Sequence, residues 1–363
     1  MFEIIFLAAV SLYFIQTVIF TIGLNKSLEK LPVKDLPFIS VIVSARNEED
    51  NILNCMTALD KLEYPEDRIE IIIVNDESED ETRNIIASYI KDKPKFVTII
   101  PNKGEGHLKG KANAIDQAVK ISKGEIILTT DADCLPNPQW VKTVVSYFSN
   151  DVAMVSGHTS QFERNSFEGM QSVDFIYLLS VAGGVMNLDK PMSCIGNNMS
   201  YRKSVYNEVG GYQSLKFSVT EDFALLMAIH KLGKYKIIHP TDPGMLVKSK
   251  PCKNIKSLYN QKKRWGVGGL QSELAGFTVM TLGWISNAGI LLIPFFLSTE
   301  SFYILLFKIA TDYYFLNPVY RKLKMKLNLK HFLVFEIYFV IYVFVLPFIV
   351  LFNKKVSWKG REY

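Results

Sequence analysis

Asp131 and Asp133 are the side chains whose types and spacing point most directly to chemistry. They close the stretch Gly124-Glu125-Ile126-Ile127-Leu128-Thr129-Thr130-Asp131-Ala132-Asp133, in which an apolar, β-branched run leads straight into two carboxylates at i and i+2. That pattern reads as a buried strand ending in an acidic turn. Two carboxylates crowded at a strand end repel one another, and a hard divalent cation with oxygen ligands relieves the repulsion while gripping a diphosphate. An isolated Asp-x-Asp is common in solvated turns, so its weight depends on its surroundings.

Other polar clusters fall at comparable places. The run over 38–44 reads as a strand that ends in Ala45-Arg46-Asn47-Glu48, and the run over 69–74 as a second strand that ends in Asn75-Asp76. Between and after them lie a helix over 48–62, with Ile52, Leu53, Met56 and Leu59 on one face, a helix running to Tyr89, a strand over 96–100 and a helix over 111–120. Strands alternating with amphipathic helices predict right-handed βαβ units and a largely parallel sheet, which puts ligands at the carboxyl ends of the strands. Asp76 could be only a helix N-cap, and Glu77, Glu79, Asp80 and Glu81 suit a helix amino end, but its place at a buried strand end favours ligand contact for Asp76. Lys103, Lys109 and Lys111 lie in the Gly-rich segment 102–110 and its continuation, which suits a mobile loop near phosphates, with a solvated basic loop as the alternative; His107 is read as incidental rather than as a ligand.

The second half adds a strand over 152–156 and a long apolar segment over 167–188, whose interior Gly183-Gly184 predicts helices lying on the membrane interface or covering the acceptor site rather than a span. A turn over 195–202 follows and leads into a helix; its Asn198-Met199-Ser200 sequon carries no meaning in a cytosolic domain. Thr220-Glu221-Asp222 opens a helix, where either acid could be a cap. In Gln261-Lys262-Lys263-Arg264-Trp265, Arg264 can hold a diphosphate oxygen bidentately and Trp265 can offer an apolar face to a sugar or a lipid. A basic amphipathic helix at the bilayer surface explains this segment as well.

The 363 residues are 48% hydrophobic with a net charge of +5, enough for about two domains, one of them membranous. Lys and Arg collect beside the apolar runs, which suggests a membrane surface rather than nucleic acid, and no nucleic-acid-binding motif is present. Cys55, Cys134, Cys194 and Cys252 are far apart in sequence and indicate neither zinc nor a disulfide framework.

Taken in order, Ala45-Arg46-Asn47-Glu48-Glu49, Asn75-Asp76-x-Ser78, Lys109-Gly110-Lys111-Ala112, Asp131-Ala132-Asp133, Thr220-Glu221-Asp222 and Gln261-x-x-Arg264-Trp265 resemble the membrane-embedded family 2 glycosyltransferases, which include cellulose, hyaluronan and poly-N-acetylglucosamine synthases and ceramide glucosyltransferases. The resemblance covers residues 38–271. It implies an α/β GT-A fold, a Rossmann-like mixed sheet with helices on both faces, and inverting transfer from a nucleotide-diphosphate sugar, a UDP-sugar by the family pattern. Carried over by position, it implies donor contacts from Ala45, Glu48, Asp76 (to uracil), Lys111, Asp131, Gln261, Arg264 and Trp265. Asp131 and Asp133 would hold Mg²⁺ or Mn²⁺, and Asp222, beside Glu221, would be the general base. Ser44 stands where the family often has proline, and Asn75 where an aspartate often precedes Asp76; neither change removes a catalytic group.

The remaining elements predict a membrane frame. Residues 1–24 read as a transmembrane helix, since about 20 apolar residues suffice to cross a bilayer and a signal peptide's basic start and small-residue cleavage site are missing. A linker follows over 25–36, with Lys26, Lys30, Pro32 and Lys34. The transfer domain is expected over 37–250, an amphipathic interface helix over 251–272, about three C-terminal segments over 273–352 (274–297, 302–316 and 332–352), and a basic tail over 353–363. Lys308 and Asp312, at i and i+4, could neutralise each other inside a bundle. Arg321, Lys322, Lys324, Lys326 and Lys330 place their connector on the cytoplasmic side of a bacterial cell membrane, which agrees with a cytosolic transfer domain if the amino terminus is outside and the 274–297 and 302–316 segments both span. The same count of crossings puts the basic tail outside, unless a C-terminal segment is re-entrant, the 302–316 segment first. The expected acceptor is a membrane lipid or a lipid-linked glycan. A processive polysaccharide synthase and a non-catalytic nucleotide-sugar-binding subunit are the alternatives.

Overall fold

The structure is a computed structural model, and it describes residues 1–32, 36–104, 106–359 and 361–362. Lys34 of the expected linker and Glu105 of the Gly-rich segment lie outside the described residues. The chain divides into two compact units, one formed by Ser27–Ser160 with Ser193–Lys250, the other by Met1–Lys26, Gln161–Met192 and Pro251–Tyr363. Residues 161–192, expected within the transfer domain, therefore pack with the apolar helices instead.

The first unit carries a seven-stranded sheet. β1 (Ile39–Ala45), β2 (Ile69–Asn75), β3 (Phe96–Ile99) and β4 (Ile126–Asp131) form a parallel set in the order β3-β2-β1-β4. Beyond β4 the Met199–Arg202 strand pairs antiparallel with β4 and with Val152–Ser156, and Lys236–Ile238 pairs parallel with Val152–Ser156 at the edge. The sheet is thus mixed. On one face Ile39, Val41, Val43, Ile71 and Ile73 are buried in one core cluster with Ile52, Cys55, Met56 and Leu59 of the helix Ile52–Asp60. The helix Gly110–Ile121 also packs on β1 and β2. Burial on both faces is why these strands read as unbroken apolar runs, and each buried Ile or Val contributes about 1.5–3 kcal/mol. The register sets Ala45 beside Asn75 and Ser44 beside Asp131, so the three predicted polar clusters emerge side by side.

The second unit is helical. Four helices among the described residues are long and apolar enough to cross a membrane by length and composition: Phe2–Leu24, Ser166–Met186, Leu274–Phe295 and Leu329–Phe352. Phe2–Leu24 buries Phe6, Val10, Tyr13, Thr17, Phe20 and Leu24 along one seam and exposes Ile4, Ile5, Leu12, Ile15, Ile19 and Ile22 elsewhere. A helix apolar on every side suits contact with lipid on its outer faces. Leu329–Phe352 carries Pro347 without interruption. The helix Ile255–Gly269 begins with a capping box, in which Asn254 Oδ1 accepts from Ser257 N at 2.9 Å and Asn254 N donates to Ser257 Oγ at 3.2 Å.

One expectation is corrected here. Gly183-Gly184 does not divide the 167–188 segment into interface helices; Ser166–Met186 is one helix of 21 residues. Its glycine serves a close helix crossing. A Cβ on Gly184 would lie 2.5 Å from Phe20 O, and one on Gly23 would lie 1.8 Å from Gly184 O. Glycine costs a helix about 1 kcal/mol in propensity, and here it lets two backbones meet. The 302–316 segment lies within the 24-residue helix Thr299–Lys322, which carries Pro318.

That helix brings charge into the bundle. Lys308 Nζ lies 2.7 Å from Asp312 Oδ2 and 2.7 Å from Glu336 Oε2, and Tyr13 OH donates to Asp312 Oδ1 while sharing a 2.6 Å hydrogen bond with Tyr177 OH. The expected Lys308–Asp312 pair is present, and a third member arrives from the neighbouring helix. Lys308→Met would leave two buried carboxylates without their shared cation, so stability is expected to fall by roughly 3–5 kcal/mol. Thermal unfolding of the detergent-purified protein checks this, and an unchanged midpoint would contradict it.

Candidate active site

The carboxyl ends of β1, β2 and β4 build one polar edge in the sheet-bearing unit. Ala45 is fully buried at the end of β1, and its carbonyl accepts from Asp76 N at 2.8 Å. Arg46 ties the two loops together, donating from Nη1 to Asp76 O at 3.0 Å and to Glu77 O at 3.1 Å. Asn47 and Glu77 both take left-handed backbone conformations, φ 51° and 54°, and the lacing compensates: Asn47 N donates to Ser78 Oγ and Asn47 Oδ1 accepts from Glu79 N. Glu48 is buried, with its N–H on Thr82 Oγ1 at 2.7 Å and its carboxylate accepting from Asn51. Asp76 is buried, 3% exposed, directly after β2. Arg46 thus acts as a cross-tie between loops, a role its sequence position did not disclose.

Asp131 ends β4, and Asp133 follows a buried Ala132. Carboxylate oxygens of Asp131 and Asp133 and the Cys134 sulfur lie within 4.8 Å of one another. Burial, reinforced by Asp133 and Asp131, pushes the Cys134 thiol well above its usual value, so it stays a donor, its Sγ 3.4 Å from Asp133 Oδ1. The two carboxylates remain as hard oxygen donors, and they fit a divalent cation with most of its ligands from substrate and water.

Lys111 joins this pair to the acids of the next predicted cluster. Gly110, at φ 53°, turns the chain into the helix Gly110–Ile121 in a conformation a side chain would disfavour, and Lys111 follows in the first turn. Its Nζ lies 2.6 Å from Asp131 Oδ1 and 3.3 Å from Glu221 Oε1. Burial alone would lower the ammonium's pKa, but Asp131 and then Glu221 outweigh it and hold it above the ordinary lysine value.

Glu221 and Asp222 open the helix Glu221–Lys231. Asp222 Oδ2 accepts from Gly196 N at 2.7 Å and Oδ1 from Phe223 N at 2.8 Å. Gly196 begins a single 3-10 turn, Gly196–Asn198, whose side-chain fixtures come from residues remote in sequence. Thr129 Oγ1 donates to Gly196 O at 2.7 Å, Thr159 Oγ1 to Asn197 Oδ1 at 2.8 Å, and Trp140 Nε1 to Asn198 Oδ1 at 2.9 Å. A Cβ on Gly196 would sit 3.3 Å from both Asp222 Oδ2 and Lys111 Nζ. Lys111, Asp131, Glu221 and Asp222 therefore surround one small space. The Gly196 turn that completes it was read from sequence only as a turn.

Gln261, Arg264 and Trp265 lie in the helical unit, on Ile255–Gly269. All three are half-buried. The Trp265 ring packs 5.3 Å from Phe175, and the Lys262 ammonium, paired with Asp174, lies 4.4 Å from the Trp265 centroid.

The profile described as "Glycosyl transferase family 2" matches residues 40–210, and that described as "Glycosyl transferase family group 2" matches residues 126–352. The chain is 28% identical over 243 residues to the probable glycosyltransferase YdaM of Bacillus subtilis, covering 65% of this chain and 56% of that protein. It is 27% identical over 248 residues to a beta-monoglucosyldiacylglycerol synthase of Trichormus variabilis, covering 66% and 50%. It is also 27% identical over 244 residues to a poly-beta-1,6-N-acetyl-D-glucosamine synthase of Staphylococcus epidermidis, covering 66% and 56%. The chain spans about half the length of these curated relatives. Among solved structures, the mannosyltransferase PcManGT from Pyrobaculum calidifontis, in complex with GDP-Man and Mn²⁺, superposes with a TM-score of 0.62 over 93% of this chain and 98% of that one, at 17% identity. That likeness carries the GT-A fold.

Proposed function

The chain belongs to glycosyl transferase family 2, and from that membership we propose that it is an inverting, metal-dependent transferase that moves a sugar from a nucleotide-diphosphate donor, a UDP-sugar, to a membrane lipid or lipid-linked acceptor. The observation that carries the reading is the closed set of Lys111 on Asp131 and Glu221 with Asp222 fixed beside it by the Gly196 N–H.

Displacing a nucleoside diphosphate from an anomeric carbon builds negative charge on the leaving oxygens, and Lys111 Nζ supplies positive charge there. Asp222 takes the proton of the acceptor hydroxyl, its carboxylate aimed by two backbone N–H groups. Glu221 keeps the Lys111 ammonium in place. An inverting displacement needs no carboxylate nucleophile, in contrast to the covalent route of a retaining glycosidase. Asp131 and Asp133 would hold Mg²⁺ or Mn²⁺, which supplies Lewis-acid charge at the diphosphate when bound. Asp76 is buried at the strand end, where the family pattern has it meet uracil, with Ala45 and Glu48 on the same edge. For Gln261, Arg264 and Trp265 the proposal rests on that pattern alone.

The four candidate spans support a membrane protein. The Lys and Arg residues at 321–330 favour a cytoplasmic transfer site. Two of the named relatives differ in product, one a monoglucosyldiacylglycerol synthase and one a poly-N-acetylglucosamine synthase. Purified protein incubated with UDP-glucose, UDP-galactose, UDP-N-acetylglucosamine or GDP-mannose and total membrane lipid, followed by mass spectrometry, decides between them. A single sugar increment on a lipid is expected. A ladder of increments would make the enzyme processive, and UDP binding without turnover of any donor would overturn the transferase reading.

A further inference from the structure

Asp131 is asked to serve two cations. Its Oδ1 is 2.6 Å from the Lys111 ammonium, and the same side chain belongs to the carboxylate pair that fits a divalent ion. We propose that Lys111 competes with the divalent cation for Asp131, so that the cation site is held weak until the donor's diphosphate draws the ammonium away. The inference rests on the metal reading of Asp131 and Asp133.

The geometry lets the lysine act in this way. A lysine ammonium is a compact charge on a flexible stem with three donors, so it can exchange one anion for another without a fixed fork to satisfy. It also has a second carboxylate, Glu221 Oε1 at 3.3 Å, so leaving Asp131 does not strand a buried charge. A divalent ion approaching Asp131 with the ammonium in place meets like-charge repulsion at close range. A diphosphate changes the balance, since it offers the ammonium new oxygens and brings negative charge to the cation. Metal and nucleotide then favour each other's binding by equal factors. The donor-free site would hold the ion loosely, without the site losing its ability to bind it at turnover.

The test measures binding rather than turnover. Free Mn²⁺ is followed by its electron paramagnetic resonance signal during titration of the full-length protein in detergent, with and without UDP. Without UDP, Lys111→Gln is expected to bind Mn²⁺ at least roughly tenfold more tightly than wild type. With UDP the advantage should vanish or reverse, because the diphosphate has lost its lysine. Lys111→Arg retains the charge and should stay near wild type without UDP, which separates loss of the cation from loss of shape; Lys111→Met replaces the glutamine variant should that not fold. Wild type binding Mn²⁺ with UDP, together with a Lys111→Gln affinity no higher than wild type without it, would overturn the inference and leave the metal reading standing. Absence of Mn²⁺ binding to wild type under both conditions would remove the metal reading and this inference with it.

Discussion

Asp222→Asn is expected to lower sugar transfer by roughly 10²–10⁴-fold, the usual share of general-base catalysis, with UDP affinity nearly unchanged. The substitution keeps the shape, and the amide oxygen can still accept from Gly196 N, but the amide nitrogen then faces Phe223 N–H, so one short hydrogen bond is lost along with the capacity to take a proton. Glu221→Gln should behave differently. Neighbouring residues at a helix start point about 100° apart, and Glu221 is turned to Lys111 at 3.3 Å, so its loss should raise the donor KM more than it lowers kcat. Gly196→Ala supplies an intermediate case. It keeps the N–H but places a methyl 3.3 Å from Asp222 Oδ2, and a small misplacement of the base should cost on the order of tenfold in kcat. Steady-state kinetics on the three variants check the set. Near-normal turnover in Asp222→Asn with none in Glu221→Gln would exchange the roles of the two acids, and near-normal turnover in both would dismiss the mechanism.

The parts of this site that could be read in the sequence are those encoded locally. β1, β2 and β4 are apolar because both faces of the sheet are covered, and each run stops where polar residues begin, so Ala45, Asp76 and Asp131 announce themselves as strand ends. Lys308 and Asp312 were legible as a pair because both sit on one helix, whereas Glu336 joins them from another and left no local trace. The same holds for the Gly196 turn, since Trp140, Thr129 and Thr159 reach it across 38 to 67 residues of sequence. Gly183-Gly184 misled for a related reason. Helix propensity counts a glycine pair as a break, and only the closeness of Gly23 and Phe20, far away in the chain, shows why the helix continues through it.

Asp133→Asn is expected to lower transfer by roughly 10³-fold, the scale of losing several kcal/mol of charge stabilisation at the leaving diphosphate. EDTA should abolish the activity of the wild type, and added Mg²⁺ or Mn²⁺ should restore it. Lys111 already places one positive charge at Asp131, and a lysine can by itself stabilise a departing phosphate. Two carboxylates gathered within 4.8 Å against a single ammonium argue that one more cation is needed when the acidic diphosphate arrives. Asp133 separates the possibilities better than Asp131, because replacing Asp131 also removes a partner of Lys111 and would confound the two cations. Chelator and mutation should agree: the variant should be slow at every metal concentration, or regain rate only at concentrations far above those the wild type requires. Wild-type turnover undiminished in EDTA would assign the leaving-group charge to Lys111 and dismiss the metal.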